Sequence, residues 1–200
     1  MTKKIHTAIK VFQKQNGIAR SAQIFKLGVQ PRTLYQMRDE GLVVSEGRGL
    51  YRLANSQPWS DPDLAIVSLR IPKGVICLIS ALYFHHITTQ IPHEVYVALP
   101  KDSEKPRIHY PPTRFFWISQ EPFKSGVETH KTDGVEIKVY GVAKTIADCF
   151  KFRNKIGMDV ALEALHEGLR SKKCTPDQIM GFARVDRVER VLLPYLEALA

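Results

Sequence analysis

Residues 30–53 read QPRTLYQMRDEGLVVSEGRGLYRL, and this stretch decides the fold that the sequence predicts. Its first part predicts a helix over residues 30–40, because Pro31 is tolerated in the first turn of a helix, where an N–H group has no intrahelical partner. Its second part predicts two short strands, residues 42–44 and 50–53, joined by a tight glycine-bearing turn.

Two further helices are predicted upstream, over residues 3–15 and 21–26. In the first of them apolar residues recur at helical spacing: Ile5, Ala8, Ile9 and Phe12. Three helices followed by a hairpin is the element order of the winged helix-turn-helix. We therefore expect residues 1–55 to form a DNA-binding domain of that class.

Charge is concentrated in the same region. Residues 1–55 contain ten Lys and Arg against three Asp and Glu, whereas the rest of the chain contains nineteen against seventeen. A cation excess gathered in a quarter of the chain indicates a polyanionic partner. Double-stranded DNA is the partner that the predicted fold favours.

The predicted helix over residues 30–40 has two different faces. At about 100° per residue, Leu34 and Met37 face the core, while Arg32 and Gln36 point the opposite way. Thr33 and Tyr35 flank that outer face, which suits a major groove, since Arg pairs with guanine and Gln with adenine. A plain solvated helix face is the alternative.

The turn between the two strands places Arg48 at its tip, where an arginine can enter the minor groove or contact phosphate, although an ordinary polar turn explains it too. Arg52 lies beyond it. Residues near the start of the second helix can contact backbone phosphate. The candidate DNA-contacting residues are Arg20, Ser21, Gln30, Arg32, Thr33, Tyr35, Gln36, Arg38, Arg48 and Arg52.

Residues 60–200 are expected to form a second domain, after a polar, proline-bearing linker at residues 55–62. Hydrophobic patterning predicts a small sheet with strands at residues 94–99, 114–119, 127–131 and 135–140. It predicts helices at residues 74–86, 141–152, 158–169, 176–183 and 186–199, the last four forming a helical tail. The predicted class is α+β: a winged helix-turn-helix, then a mixed α/β domain.

Enzymatic chemistry has little support in the sequence. Glu136 and Lys138 have the spacing of a metal-dependent nuclease strand, but such a site needs another carboxylate, and alternation on a half-exposed strand explains both residues. Neighbouring His85 and His86 have no partners that complete a zinc set. No nucleophile with a credible base is evident. We expect no catalytic residue, no metal and no cofactor.

The sequence also bears on location. No apolar run approaches the roughly 20 residues needed to cross a membrane. The first residues have no apolar segment behind their lysines, which argues against a signal peptide. The cysteines are odd in number, three, and widely spaced, which argues against a disulfide framework. We expect a cytoplasmic protein.

Two stretches resemble the AbiEi family of antitoxins and predicted transcriptional regulators of viral defence systems. The first is the winged helix that ends in RTLYQM, residues 32–37, followed by GRGLYR, residues 47–52. The second is VYGVAKTIADCF, residues 139–150, which is similar to the family's strand-then-helix segment. Family members often carry Pro-Glu-Arg where this chain carries Val142, Ala143 and Lys144.

The resemblance implies two roles. The N-terminal domain would bind inverted repeats upstream of its own operon as an autorepressor, with dimerisation on the DNA as one way to engage both repeats. The C-terminal domain would act as the antitoxin in abortive infection, against a cognate nucleotidyltransferase toxin that many members oppose without a stable complex. A regulator whose second domain binds another protein or a ligand, with no toxin, is the alternative.

Within the second stretch, Lys144 and Asp148 are one helical turn apart and are expected to pair on a helix surface. Together with Thr145 they are candidates for an antitoxin surface. The alternative, which we favour, is that these three residues anchor the helix to the sheet.

Overall fold

The computed structural model describes residues 3–47, 49–56 and 59–199. It contains two compact units, residues 1–62 with 132–134, and residues 63–131 with 135–200. Both combine helices with a sheet, which confirms the predicted α+β class. Among the described residues, no helix is long and apolar enough to cross a membrane.

The first unit contains three helices and a small sheet. The helices are α1 (Lys3–Lys14), α2 (Ser21–Lys26) and α3 (Pro31–Asp39). The strands are β1 (Ile18–Arg20), β2 (Val43–Ser45) and β3 (Leu50–Leu53), antiparallel in the order β1-β3-β2. The sequence patterns predicted all of these elements except β1.

The apolar stripes of these helices meet in one core. Ile5, Ala8 and Phe12 of α1 are buried, as the helical spacing predicted. Leu34 and Met37 of α3 join them and are 0% exposed. Burial of large side chains of this kind is worth about 1.5–3 kcal/mol each. This core therefore fixes which face α3 turns outward.

The second unit is built on a five-stranded mixed sheet with the order β6-β5-β4-β8-β7. Its strands are β4 (Val75–Ile76), β5 (Val95–Pro100), β6 (Thr113–Ile118), β7 (Val127–Thr132) and β8 (Val135–Tyr140). β4 pairs antiparallel with β5 and parallel with β8, and β5 pairs parallel with β6. Along β8 the predicted alternation holds, since Val135, Ile137 and Val139 are buried.

Helices lie before, between and after these strands, and five of them make up most of residues 142–197. They are α4 (Pro62–Arg70), α5 (Leu78–Phe84), α6 (Gln120–Lys124), α7 (Val142–Lys151), α8 (Arg153–Ile156), α9 (Met158–Arg170), α10 (Pro176–Val185) and α11 (Glu189–Glu197). The prediction of a single helix over residues 74–86 was wrong in its first part, which is strand β4. Helix α10 starts at a complete capping box of Thr175 and Gln178.

Candidate nucleic-acid interface

Helix α3 presents a polar face away from its core. Arg32, Gln36 and Tyr35 are exposed, Tyr35 to 46% of its surface, while Leu34 and Met37 are fully buried. With Asp39 and Glu40, these exposed side chains line a depression of about 810 Å³. The structure thus brings three of the predicted DNA-contacting side chains onto one accessible helix face.

Thr33 does not belong to that face. It was expected to flank the outer surface, but it is only 8% exposed. The reason is helical geometry: Thr33 is one turn before Met37 and beside Leu34, so it shares their inward side. The placement of Thr33 on the groove-facing surface was therefore wrong.

Two polar residues of α3 already have partners, one within the helix and one at its C-cap. The Gln36 amide donates to Oε1 of Glu40 at 2.7 Å, and the Arg38 guanidinium donates to Oδ1 of Asp39 at 2.7 Å and 2.9 Å. The Asp39 hydrogen bond raises the pKa of Arg38. Arg32, by contrast, makes no hydrogen bond or ion pair with another residue of the described chain. The free cation of α3 is therefore at its N-terminal end.

The hairpin of β2 and β3 holds Arg52 close to the protein. Its guanidinium donates to Oε1 of Glu46 at 3.0 Å and to Oγ of Ser56 at 3.1 Å, and the side chain is only 22% exposed. Arg52 thus fixes the base of the hairpin. Arg48, predicted at the tip, lies outside the described residues.

The remaining candidates flank the helices. Arg20 is exposed and is the N-cap residue of α2, and Ser21 begins that helix with its backbone N–H donating to the Gly49 carbonyl at 2.7 Å. Gln30 is exposed at the N-cap of α3. Helix starts of this kind leave N–H groups that suit anionic oxygen.

In the second unit, Lys144, Thr145 and Asp148 do not form a surface. All three are 0% exposed. The expected pair exists, with Lys144 Nζ at 2.5 Å from Asp148 Oδ1, but it lies in the interior. Thr145 donates to the Tyr140 carbonyl at 3.0 Å. The antitoxin-surface prediction for these residues was therefore wrong, because residues 143–150 of α7 are all buried.

The buried pair is part of a larger ionic cluster. Lys144 Nζ also contacts Asp186 Oδ2 at 3.0 Å, and Lys151 Nζ contacts Asp186 Oδ1 at 3.3 Å. The ammonium of Lys144 lies 4.8 Å from the centre of the Tyr140 ring. Two cations thus face two carboxylates, three of the four groups being fully buried.

Burial is the largest influence on the pKa of Asp148. It raises the pKa of Asp148 to about 7, against the opposing effect of Lys144 and with help from the nearby charge of Asp186. Oδ2 of Asp148 is buried without a hydrogen-bond partner in the described part of the chain, which makes the ionised form costly. The same burial raises the pKa of the Cys149 thiol well above its ordinary value.

The backbone at Gly126 lies against Lys144 and covers the cluster. Gly126 has a positive φ of 69°, and a Cβ placed there would lie 2.6 Å from Cβ of Lys144. Sequence reasoning missed Asp186 and Lys151 as members of this cluster. Asp186 ends α10, 42 residues from Lys144, and no local pattern connects the two.

The described residues contain no group of three or more His, Cys, Asp or Glu side chains placed to hold a metal ion. Lys138 donates to the Pro72 carbonyl at 3.3 Å, away from a shared site with Glu136. His85 Nε2 lies 2.8 Å from the Tyr140 carbonyl, and burial lowers the pKa of this imidazole. These contacts give the histidine a packing role.

A family of known proteins matches the sequence of the first unit. Residues 6–54 match the sequence model of a family described as transcriptional regulator, AbiEi antitoxin. This match confirms the family resemblance over the N-terminal domain. No curated protein shows significant sequence similarity to the chain.

Proposed function

We propose that this protein is a sequence-specific DNA-binding regulator that represses its own operon and acts as the antitoxin of an abortive-infection pair. The observation that carries the proposal is the exposed face of α3, with Arg32, Tyr35 and Gln36, in a domain that matches a transcriptional-regulator family. The excess of seven positive charges in residues 1–55 supports the same partner.

In this proposal α3 is the recognition helix in the major groove. Arg32 reads guanine through O6 and N7, since its guanidinium has no internal partner to give up. Gln36 reads adenine after exchanging its bond to Glu40. Tyr35 contacts phosphate or a thymine methyl group.

The flanking residues position the helix rather than read bases. Arg20, Ser21 and Gln30 contact backbone phosphate from the starts of α2 and α3, and Arg38 does so after leaving Asp39. Arg48 contacts the DNA from the turn of the hairpin. Arg52 supports that hairpin through Glu46, and only secondarily meets DNA.

Two copies bind one operator in this scheme. A single domain of this size buries limited surface, and an inverted repeat lets two copies dimerise on the DNA with half-sites about one helical turn, or 34–36 Å, apart. The second unit then opposes a cognate nucleotidyltransferase toxin. That role rests on the family resemblance, and its surface lies outside Lys144, Thr145 and Asp148.

Selection of duplexes from a randomised library by the full-length protein tests the DNA-binding part. We expect an enriched inverted repeat, and a loss of about 1–3 kcal/mol in operator binding for Arg32→Ala. Lys10→Ala on the exposed side of α1 is the matched control, since it removes the same charge. Operator binding by Arg32→Ala and Gln36→Ala at the wild-type level, with the fold intact, would contradict the recognition-helix assignment.

Co-expression with the adjacent gene tests the antitoxin part. We expect the adjacent gene alone to arrest growth and the full-length protein to restore it. The double variant Arg32→Ala/Gln36→Ala should still restore growth while losing operator repression, because the two activities belong to different units. A harmless adjacent gene would contradict the antitoxin role.

A plain regulator is the second candidate. The family match ends at residue 54, so the second unit has no counterpart in that match. In this alternative the second unit binds another protein or a ligand and controls DNA affinity. Operator binding without toxicity from the neighbouring gene favours it.

A further inference from the structure

A small cavity of about 390 Å³ opens at the N-terminal end of α3. Lys3, Lys4 and Thr7 of α1 line it, together with Gln30 and Thr33 at the start of α3. Among the residues that the structure describes, no acidic side chain lines it. The cavity therefore combines two cations with polar groups and no carboxylate to neutralise them.

The Thr33 hydroxyl is a polar group of this cavity that no other described residue satisfies. Thr33 is more than nine-tenths buried and lines the cavity, yet its side chain has no hydrogen-bond partner among the described residues. A threonine in a helix can satisfy its hydroxyl on the carbonyl three or four residues before it. Thr7 does so, donating to the Lys3 carbonyl at 3.0 Å.

The backbone around Thr33 is also open to an anion. Gln30 caps α3 without a side-chain hydrogen bond, and Pro31 at the first helical position has no N–H. The N–H groups of Thr33 and Leu34 donate to the Gln30 carbonyl, but those of Gln30 and Arg32 have no acceptor within the described residues. Free N–H groups at the positive end of a helix dipole bind oxyanions.

The two lysines complete the electrostatics. Lys3 and Lys4 are exposed, and neither forms an ion pair with another described residue. Their ammonium groups are therefore available to a ligand at no cost in internal contacts. Thr33 supplies a hydroxyl donor to the lining of the same cavity.

We propose that this cavity binds a phosphate group and that the DNA backbone supplies it when α3 occupies the major groove. The inference rests on the proposed function for the source of the phosphate. Arg32 follows Pro31 on the same helix end, so a helix docked through Arg32 brings its N-terminus beside one sugar–phosphate strand. Thr33 thus binds phosphate from inside the domain, although it does not face the groove.

The first experiment uses inorganic phosphate as the probe. Full-length protein labelled with ¹⁵N is titrated with sodium phosphate at constant ionic strength, and amide shifts are followed. We expect saturable shifts at Gln30 and Arg32, which disappear in Thr33→Val and in Lys3→Ala/Lys4→Ala. Lys10→Ala/Lys14→Ala, which removes the same charge from elsewhere on α1, should keep them.

The Thr33→Val variant separates binding from structure. Its hydroxyl has no protein partner, so the variant should unfold at the same temperature as the wild type or higher. A structural role would lower the melting temperature instead. Equal stability with lost phosphate shifts supports the proposed site, and a marked loss of stability overturns this assignment of the hydroxyl.

The second experiment measures binding to the selected duplex as a function of salt. Loss of one phosphate contact lowers the steepness of log K against log salt by about 0.9. Between 50 and 200 mM salt, the affinity of such a variant therefore falls by a factor about 3.5 times smaller than that of the wild type. We expect this decrease in Lys3→Ala/Lys4→Ala relative to Lys10→Ala/Lys14→Ala. Thr33→Val should bind about tenfold more weakly with no change in protein charge.

The outcomes distinguish this inference from the proposed function. Wild-type binding to DNA with equal slopes in both double variants, and no phosphate shifts at Gln30 and Arg32, overturns the cavity and leaves the regulator role intact. Saturable phosphate shifts in a protein that binds no DNA overturn the DNA source and support a site for free phosphate. Shifts that weaken equally in both double variants indicate general charge screening and overturn the site.

Discussion

Replacing Lys144 by methionine should strongly destabilise the second unit. The substitution keeps the length of the apolar stem but removes an ammonium that contacts Asp148 at 2.5 Å and Asp186 at 3.0 Å, with both carboxylates fully buried. Loss of one partner from a buried ionic group leaves uncompensated charge and costs about 3–5 kcal/mol. We therefore expect the free energy of unfolding to fall by that amount.

Lys151→Met is the matched control. Lys151 makes one contact of 3.3 Å to Asp186 and its side chain is 26% exposed, so its loss should cost about 1 kcal/mol or less. Urea unfolding of the full chain, followed by Trp117 fluorescence in a Trp59→Phe background, reports on the second unit. A difference of less than about 1 kcal/mol between the two variants would refute the buried-cluster argument.

The effect of Lys144→Met should also depend on pH. Lys144 lowers the pKa of Asp148, so its removal raises that pKa further above about 7. A raised pKa in the folded state means that folding takes up a proton, and stability then falls as the pH rises. The variant's loss of stability should thus be smaller at pH 5 than at pH 8. Equal losses at both values would contradict this account.

Asp148, the start of α10 and the three cysteines of the second unit each have a measurable consequence. Because the pKa of Asp148 is raised to about 7, part of the wild-type free energy of unfolding should fall as the pH rises from about 4 to 7. Asp148→Asn should remove this part. In urea titrations, the difference in free energy of unfolding between wild type and variant should therefore change by up to about 1.4 kcal/mol per pH unit. Thr175→Ala should cost about 1 kcal/mol by the same assay, because it removes the capping box of α10. Cys77, Cys149 and Cys174 are buried and burial raises each thiol pKa, so Ellman's reagent at pH 8 should label none in the folded protein and all three in urea.

The first unit was largely predictable because its signals are local. Helical spacing in α1, Pro31 at the start of α3 and the glycine-bearing turn each act within a few residues. Strand β1 was missed because it has three residues, Ile18–Arg20, and exists through pairing with β3, whose paired residues lie 30 to 34 positions later. A segment that short has no measurable period.

The same physics explains the error at residues 74–86. Strand β4 has two residues, Val75–Ile76, and continues into Cys77 and α5 without a polar break. Both elements are buried, so their sequence is apolar whether the backbone is a strand or a helix. An apolar run of this kind does not distinguish a buried strand from a buried helix.

The recognition of Lys144 and Asp148 as a pair was correct, but their surface placement was not. Spacing of four residues reports that two side chains can meet on a helix, and it contains nothing about what covers them. Here the cover comes from Gly126 and from Asp186, 42 residues after Lys144. Variants at these positions would therefore lose growth rescue because the second unit unfolds. A scan for antitoxin residues by loss of growth rescue would then report them although they are not contacts. Each sensitive variant needs its free energy of unfolding beside its growth result, and an antitoxin contact is a position where rescue is lost while that energy stays unchanged.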